Sequence, residues 1–122
     1  MTPIAGVGVD AVDVGRFRAV LERRPSIGER LFTAGERRDG RGDAQRLAAR
    51  FAAKEATMKA LGRGLGSMGW HDVEVVRAPS GAPSLRLTAA AAALAERHGV
   101  SRWHVSFTHT DLVAVAMVVA ET

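Results

Sequence analysis

The chain has 122 residues, room for one domain, residues 1–122, around one core. It is 47% hydrophobic and 25% charged, an ordinary globular balance, and no run approaches the roughly 18 apolar residues of a membrane span. There is no cysteine, which excludes disulfides and thiolate metal sites. The net charge of +4 and pI of about 10.9 favour an anionic partner: nucleic acid, a phosphorylated small molecule or an acidic protein. The opening MTPIAGVGVD lacks the basic segment and long apolar run of a secretory signal, so a cytoplasmic location is expected. Arginine supplies 15 of the 17 basic residues. The two lysines, Lys54 and Lys59, share one short segment, which marks it as a candidate site for a compact point charge.

In chain order, Ile4 to Asp10 reads as a strand whose interior glycines, Gly6 and Gly8, mark close approach of another backbone or a ligand. Val14, Phe17, Val20 and Leu21 then recur at helical spacing, with Arg16 and Arg23 on the solvent side, and Pro25-Ser26 ends this helix. A short helical turn begins at Leu31-Phe32-Thr33, with Thr33 placed to cap Glu36. Arg37 to Asp43 (RRDGRGD) reads as a loop. Asp43 is then the N-cap of a long, alanine-rich helix from Ala44 to about Leu61, stopped by Gly62. Its small side chains suit a central, buried helix.

Asp72 to Arg77 and Ser84 to Leu87 form a hairpin around Pro79-Ser80-Gly81. Thr88 is placed to cap a further helix reaching His98 and closed by Gly99. Arg102 to Thr108 and Leu112 to Ala120 pair around a turn at His109 to Asp111. The expected class is α+β, a mixed or antiparallel sheet packed on a long central helix.

Two carboxylates stand out. Asp10 closes the first strand as read, free to turn toward a cleft, although alone the reading as a helix N-terminal or turn aspartate before Val14 is favoured. Glu55 sits mid-helix among Phe51, Ala52, Ala56 and Ala60, although alone it could simply pair with Lys59 at i+4. Together, completed by substrate phosphate oxygens and water, they make a typical magnesium site. Zinc is disfavoured, since the histidines show no HExxH spacing. Lys59, one turn from Glu55, is placed to hold the same phosphates. The segment Gly62 to Gly66 (GRGLG) follows a helix rather than preceding one, so it reads as a C-cap and connection, not a phosphate loop. His109 continues the face of Trp103, Val105 and Phe107, and with Thr110 at the hairpin tip becomes a candidate phosphate contact.

The segments GVGVDAVDVGRF, RFAAKEATMKALGRGLG with WHDVEV after it, and VSFTHT together resemble the holo-acyl-carrier-protein synthase family, the short, single-domain phosphopantetheinyl transferases. The three blocks stand in the family's order and span nearly the whole chain. The resemblance implies a homotrimer with active sites between neighbouring subunits, coenzyme A as donor, Mg2+ as cofactor and an apo acyl carrier protein as acceptor. It places Asp10 and Glu55 as metal ligands and Lys59 on a phosphate. It also places Arg50, His109 and Thr110 on the coenzyme's phosphates, the hairpin pair coming from the adjacent subunit. Arg50 fits least readily, since it lies about 140° around the helix from Glu55. The implied reaction is attack of the carrier serine, deprotonated by Glu55 or a metal-associated water, on the β-phosphate of coenzyme A, releasing adenosine 3',5'-bisphosphate. The first helix, with Arg16, Arg23 and Arg24, is the expected docking face for the acidic carrier.

Two other classes compete. A magnesium-dependent hydrolase of a pyrophosphate metabolite would use the same carboxylates with water as nucleophile. A small basic nucleic-acid-binding protein is supported by charge alone: with 5% aromatics and no tyrosine the chain offers no stacking platform. Neither nucleic acid nor membrane is the expected partner.

Overall fold

The computed structural model describes residues 3–62 and 68–122. Three helices begin where the sequence offers an oxygen to free amides. Helix α1 (Val14–Arg23) is capped by Asp13, which accepts from the Arg16 amide at 2.8 Å. Helix α4 (Ala44–Ala60) is capped by Asp43, which accepts from the Gln45 amide at 2.8 Å. Between them lie α2 (Ser26–Leu31) and α3 (Ala34–Gly40). Thr33 and Glu36 form a full capping box that starts α3.

Here the structure corrects two expectations. Helix α2 occupies a stretch given no element, and α3 covers the first part of the segment read as a loop. Gly40 is not there to turn the chain. A Cβ at that position would lie 2.6 Å from the Leu47 side chain, so Gly40 lets α3 pack against α4. The chain reverses only at Arg41 and Gly42, both at positive φ.

Strand β1 (Ile4–Asp13) pairs with β5 (Val113–Glu121), which pairs with β4 (Arg102–His109), in the order β1-β5-β4. All pairings are antiparallel, as they are in the separate hairpin of β2 (Val73–Arg77) and β3 (Pro83–Leu87). A 3-10 turn at Trp70–Asp72 leads into β2, and α5 (Ala89–Arg97) follows β3. Thr88 precedes α5 but makes no side-chain cap bond. The strand β4 includes His109, so the final turn falls one residue later than expected. Strand β1 likewise runs past Asp10 to Asp13, because β5 keeps pairing as far as Val113. Asp10 is therefore mid-strand, opposite Ala116, and not a strand end.

Alternation turns Gly6, Gly8, Asp10 and Val12 toward the inner face of the sheet. Helix α4 lies across that face. A Cβ on Gly6 would stand 1.9 Å from the Ala60 carbonyl oxygen, and one on Gly8 would stand 1.7 Å from that of Ala56. Two bare glycines on the strand meet small residues on the helix, and the backbones come together. Ala52, Ala53, Ala56, Val75, Ala116 and Val118 complete this layer. Phe17 and Phe32 pack edge to face beside the start of α4. The outer face of the same sheet is different. Val7, Val9 and Met117 are more than half exposed there, with Val7 opposite Val119 and Val9 opposite Met117. Among the described residues no helix is long and apolar enough to cross a membrane.

Candidate active site

The contact of α4 with Gly6 and Gly8 decides where the polar side chains fall. Beyond Gly8, the next inward residue of β1 is Asp10, and it meets Lys59 of α4. The Lys59 Nζ donates to Asp10 Oδ1 and to the Val9 carbonyl, both at 3.0 Å. The Asp10 side chain is mostly covered, whereas that of Lys59 is about half exposed. Glu55, one helical turn before Lys59, faces the same place. Its carboxyl is pushed above the usual carboxylate range, first by burial, then by the like charge of Asp10, with Lys59 opposing. Glu55 is thus not merely the i+4 partner of Lys59 but part of a three-residue cluster drawn from β1 and α4.

Two mutually repelling carboxylates, partly withdrawn from water, suit a hard divalent cation that retains other oxygen ligands. Among the described residues no three His, Cys, Asp or Glu side chains gather as a ready metal cage. The remaining ligands would be oxygens of a substrate and of water. On that chemistry the donor set fits magnesium, and Asp10 and Glu55 are the residues that could hold it.

Arg50 lies elsewhere. It faces a second space of 340 Å3, together with Arg46, Arg77, Ser106, Phe107 and His109. It is 4% exposed, its Nη1 donates to the Arg46 carbonyl at 3.1 Å, and its guanidinium stands 5.8 Å from the Phe107 ring centroid. Its Nε is buried without a partner among the described residues. Burial pulls its pKa down, and Asp39 opposes this while Arg77 and Arg46 add to it. A buried cation with an unused donor, among further cations, is an environment made for an anion. Helical phase had set Arg50 apart from Glu55, and the structure keeps them apart. Arg50 belongs with His109 of its own chain, around α4 from the carboxylates. Arg46 was legible as the i−4 neighbour of Arg50. Arg77 was not, because only the folding of the β2–β3 hairpin brings it here.

Thr110 has a different engagement. Its Oγ accepts the amides of Leu112 and Val113, both at 3.1 Å, and so shapes the turn. Of the two lysines, Lys54 is no part of the cluster: it is fully buried and paired with Glu36 at 2.7 Å. The GRGLG glycines from Gly64 onward fall outside the described residues. Arg16, Arg23 and Arg24 are all exposed on or beside α1. Next to them is an apolar groove of 400 Å3 lined by Val12, Phe17, Val20, Ile27, Leu31 and Phe51, with Arg16 and Arg30 also facing it. Val12 follows Asp10 on the same face of β1, and Phe51 precedes Glu55 by one turn. The groove therefore adjoins the carboxylate pair.

Known proteins share this sequence and fold. Residues 6–116 match the family model described as the 4'-phosphopantetheinyl transferase superfamily. A holo-[acyl-carrier-protein] synthase of Frankia casuarinae is 58% identical over 119 residues, covering 98% of each chain. The crystal structure of holo-[acyl-carrier-protein] synthase from Neisseria meningitidis superposes with a TM-score of 0.88 at 29% identity, covering 98% of this chain and 100% of that one. A holo-(acyl-carrier-protein) synthase from Bacillus anthracis, solved in complex with CoA (3',5'-ADP), superposes with a TM-score of 0.81 at 31% identity, covering 100% and 99%. Sequence, fold and a paired-carboxylate cluster lead to one assignment: the chain belongs to the 4'-phosphopantetheinyl transferase superfamily.

Proposed function

We propose that this chain is a cytoplasmic holo-[acyl-carrier-protein] synthase, transferring 4'-phosphopantetheine from coenzyme A to a serine of an apo acyl carrier protein. The observation that carries this reading is the convergence of Asp10, Glu55 and Lys59 between β1 and α4, in a chain so close to relatives bearing that name. Magnesium held by Asp10 and Glu55 would offset the negative charge of the diphosphate. Lys59, with two of its three ammonium protons engaged among the described residues, would offer the third to a phosphate oxygen. The carrier serine Oγ forms a bond to the β-phosphorus, and the bond from that phosphorus to the oxygen bridging it to the α-phosphate breaks. Adenosine 3',5'-bisphosphate leaves with the bonding pair. The hydroxyl proton passes to Glu55 or to a water beside it.

The carrier would approach over α1, its acidic surface toward Arg16, Arg23 and Arg24 and its apolar side chains toward the adjoining groove. The Arg50 cavity would take a phosphate of the coenzyme, with His109 beside Arg50 and Thr110 at the hairpin tip. Arg50→Met tests this with two opposed effects. Removing a buried, partly unsatisfied cation raises the melting temperature of the unliganded protein, while KM for coenzyme A rises about tenfold or more. Lower stability with an unchanged KM would assign Arg50 to the core instead.

Since Arg50 and the carboxylates stand on different sides of α4, a coenzyme that used both would draw them from two copies. The exposed apolar face of Val7, Val9 and Met117 supports an assembly of such copies. Light scattering is expected to give three times the 12.9 kDa chain mass, and Val9→Asp to give monomers without activity. A monomeric wild type at full activity would contradict the shared site. The transfer reading itself is tested by following nucleotide release from coenzyme A. Release should require the apo carrier. Release without it would mark a pyrophosphate hydrolase.

A further inference from the structure

The buried pair Glu36–Lys54 plays no part in the chemistry above, yet it is among the most completely bonded features of the fold. Both side chains are fully buried. The Lys54 ammonium meets three acceptors from three segments: Glu36 Oε1 at 2.7 Å, the Trp70 carbonyl at 2.9 Å and the Val73 carbonyl at 2.6 Å. All three of its protons are used. Glu36 in turn accepts the Thr33 amide through Oε1 at 2.9 Å and the Val75 amide through Oε2 at 2.8 Å. Next to it, the Thr33 hydroxyl donates to Glu74 Oε2 at 2.6 Å. One ion pair thus ties α4 to α3, to the 3-10 turn and to β2.

The other side of α4 explains why such a tie matters. There the helix meets the sheet through Ala56 and Ala60 against Gly6 and Gly8, with Ala52 and Ala53 buried nearby. That seam is close but smooth. On the helix side it presents alanines, against which Val12, Val105, Phe107 and Val118 of the sheet pack. The position of Glu55 relative to Asp10 depends on that rotation, since Glu55 is on the helix and Asp10 on the strand. Directional hydrogen bonds resist rotation in a way that contacts between alanines and glycines do not. Lys54, immediately before Glu55, supplies three of them.

We infer that Lys54, with Glu36, is a positioning residue for the catalytic carboxylates, fixing the phase of α4 so that Glu55 faces Asp10. This rests on the proposed metal site at Asp10 and Glu55. The test uses Mn2+ as the probe in the presence of coenzyme A, read by electron paramagnetic resonance, so that binding is measured apart from turnover. Lys54→Met alone would strand a buried carboxylate and could fail to fold. The double variant Glu36→Met/Lys54→Met replaces the pair with apolar side chains, a change that proteins often tolerate. Folded, it should bind Mn2+ roughly tenfold more weakly, as loss of supporting groups around a metal site typically does, with kcat reduced in parallel. Wild-type Mn2+ affinity and kcat in the folded double variant would overturn the proposal. Should the double variant not fold, Glu36→Gln, which keeps the shape, carries the test: a threefold or greater weakening supports the proposal, and unchanged affinity rejects it. Asp10→Asn separates the two readings. If it binds Mn2+ like the wild type, the metal assignment itself fails; if it loses Mn2+ while the pair variants do not, only the positioning role fails.

Discussion

Glu55→Gln is expected to lower kcat by about 10²–10³-fold while leaving the fold intact. The substitution keeps the size of the side chain and removes its charge. In the free protein that charge is unfavourable, because Glu55 is partly buried and repelled by Asp10, with Lys59 compensating in part. The variant should therefore melt no lower than the wild type. What it loses is half of the carboxylate pair that would hold a divalent cation at the diphosphate. Steady-state kinetics over a range of magnesium concentrations read the effect, and excess magnesium should restore little. Activity within tenfold of wild type would remove Glu55 from the site.

The largest effect on folding is expected at Gly8. An added methyl group would stand 1.7 Å from the Ala56 carbonyl oxygen and 2.7 Å from its carbon. These are backbone atoms, so no rotamer can move them aside, and β1 must part from α4. Gly8→Ala should cost about 3 kcal/mol or more, at the upper end for overpacking. That corresponds to a fall in melting temperature of roughly 10 °C. Activity should fall further than stability alone explains, because the same displacement carries Asp10 away from Glu55 and Lys59. Gly28→Ala is the matched control. Among the described residues nothing lies within 4 Å of its added methyl, and alanine is the better helix former, so the variant should be at least as stable as the wild type. Equal melting of the two variants, measured by circular dichroism, would refute the close-approach account.

The same glycines show what the sequence made legible. Gly6 and Gly8 in a strand, with an alanine-rich helix elsewhere, signalled close backbone approach, and each glycine meets a helix carbonyl. The i+4 spacing of Glu55 and Lys59 put them on one face, and both face Asp10. The 140° between Arg50 and Glu55 was equally informative, since the two residues do look into different spaces. The misreadings came from side chains whose surroundings are long-range. Lys54 and Lys59 looked alike in sequence, but one is buried against Glu36 and the other reaches half into solvent. Gly40 resembled a turn residue because its neighbours are polar, whereas its role is to admit Leu47. Arg77 reaches the Arg50 cavity only through a hairpin whose placement no local pattern encodes.

Intact-mass spectrometry of an apo acyl carrier protein incubated with coenzyme A, magnesium and this protein tests the central claim most directly. The carrier should gain the mass of one phosphopantetheinyl group on its serine, and Asp10→Asn or Glu55→Gln should largely abolish the gain. An unmodified carrier beside wild-type protein, or full modification by both variants, would contradict the account.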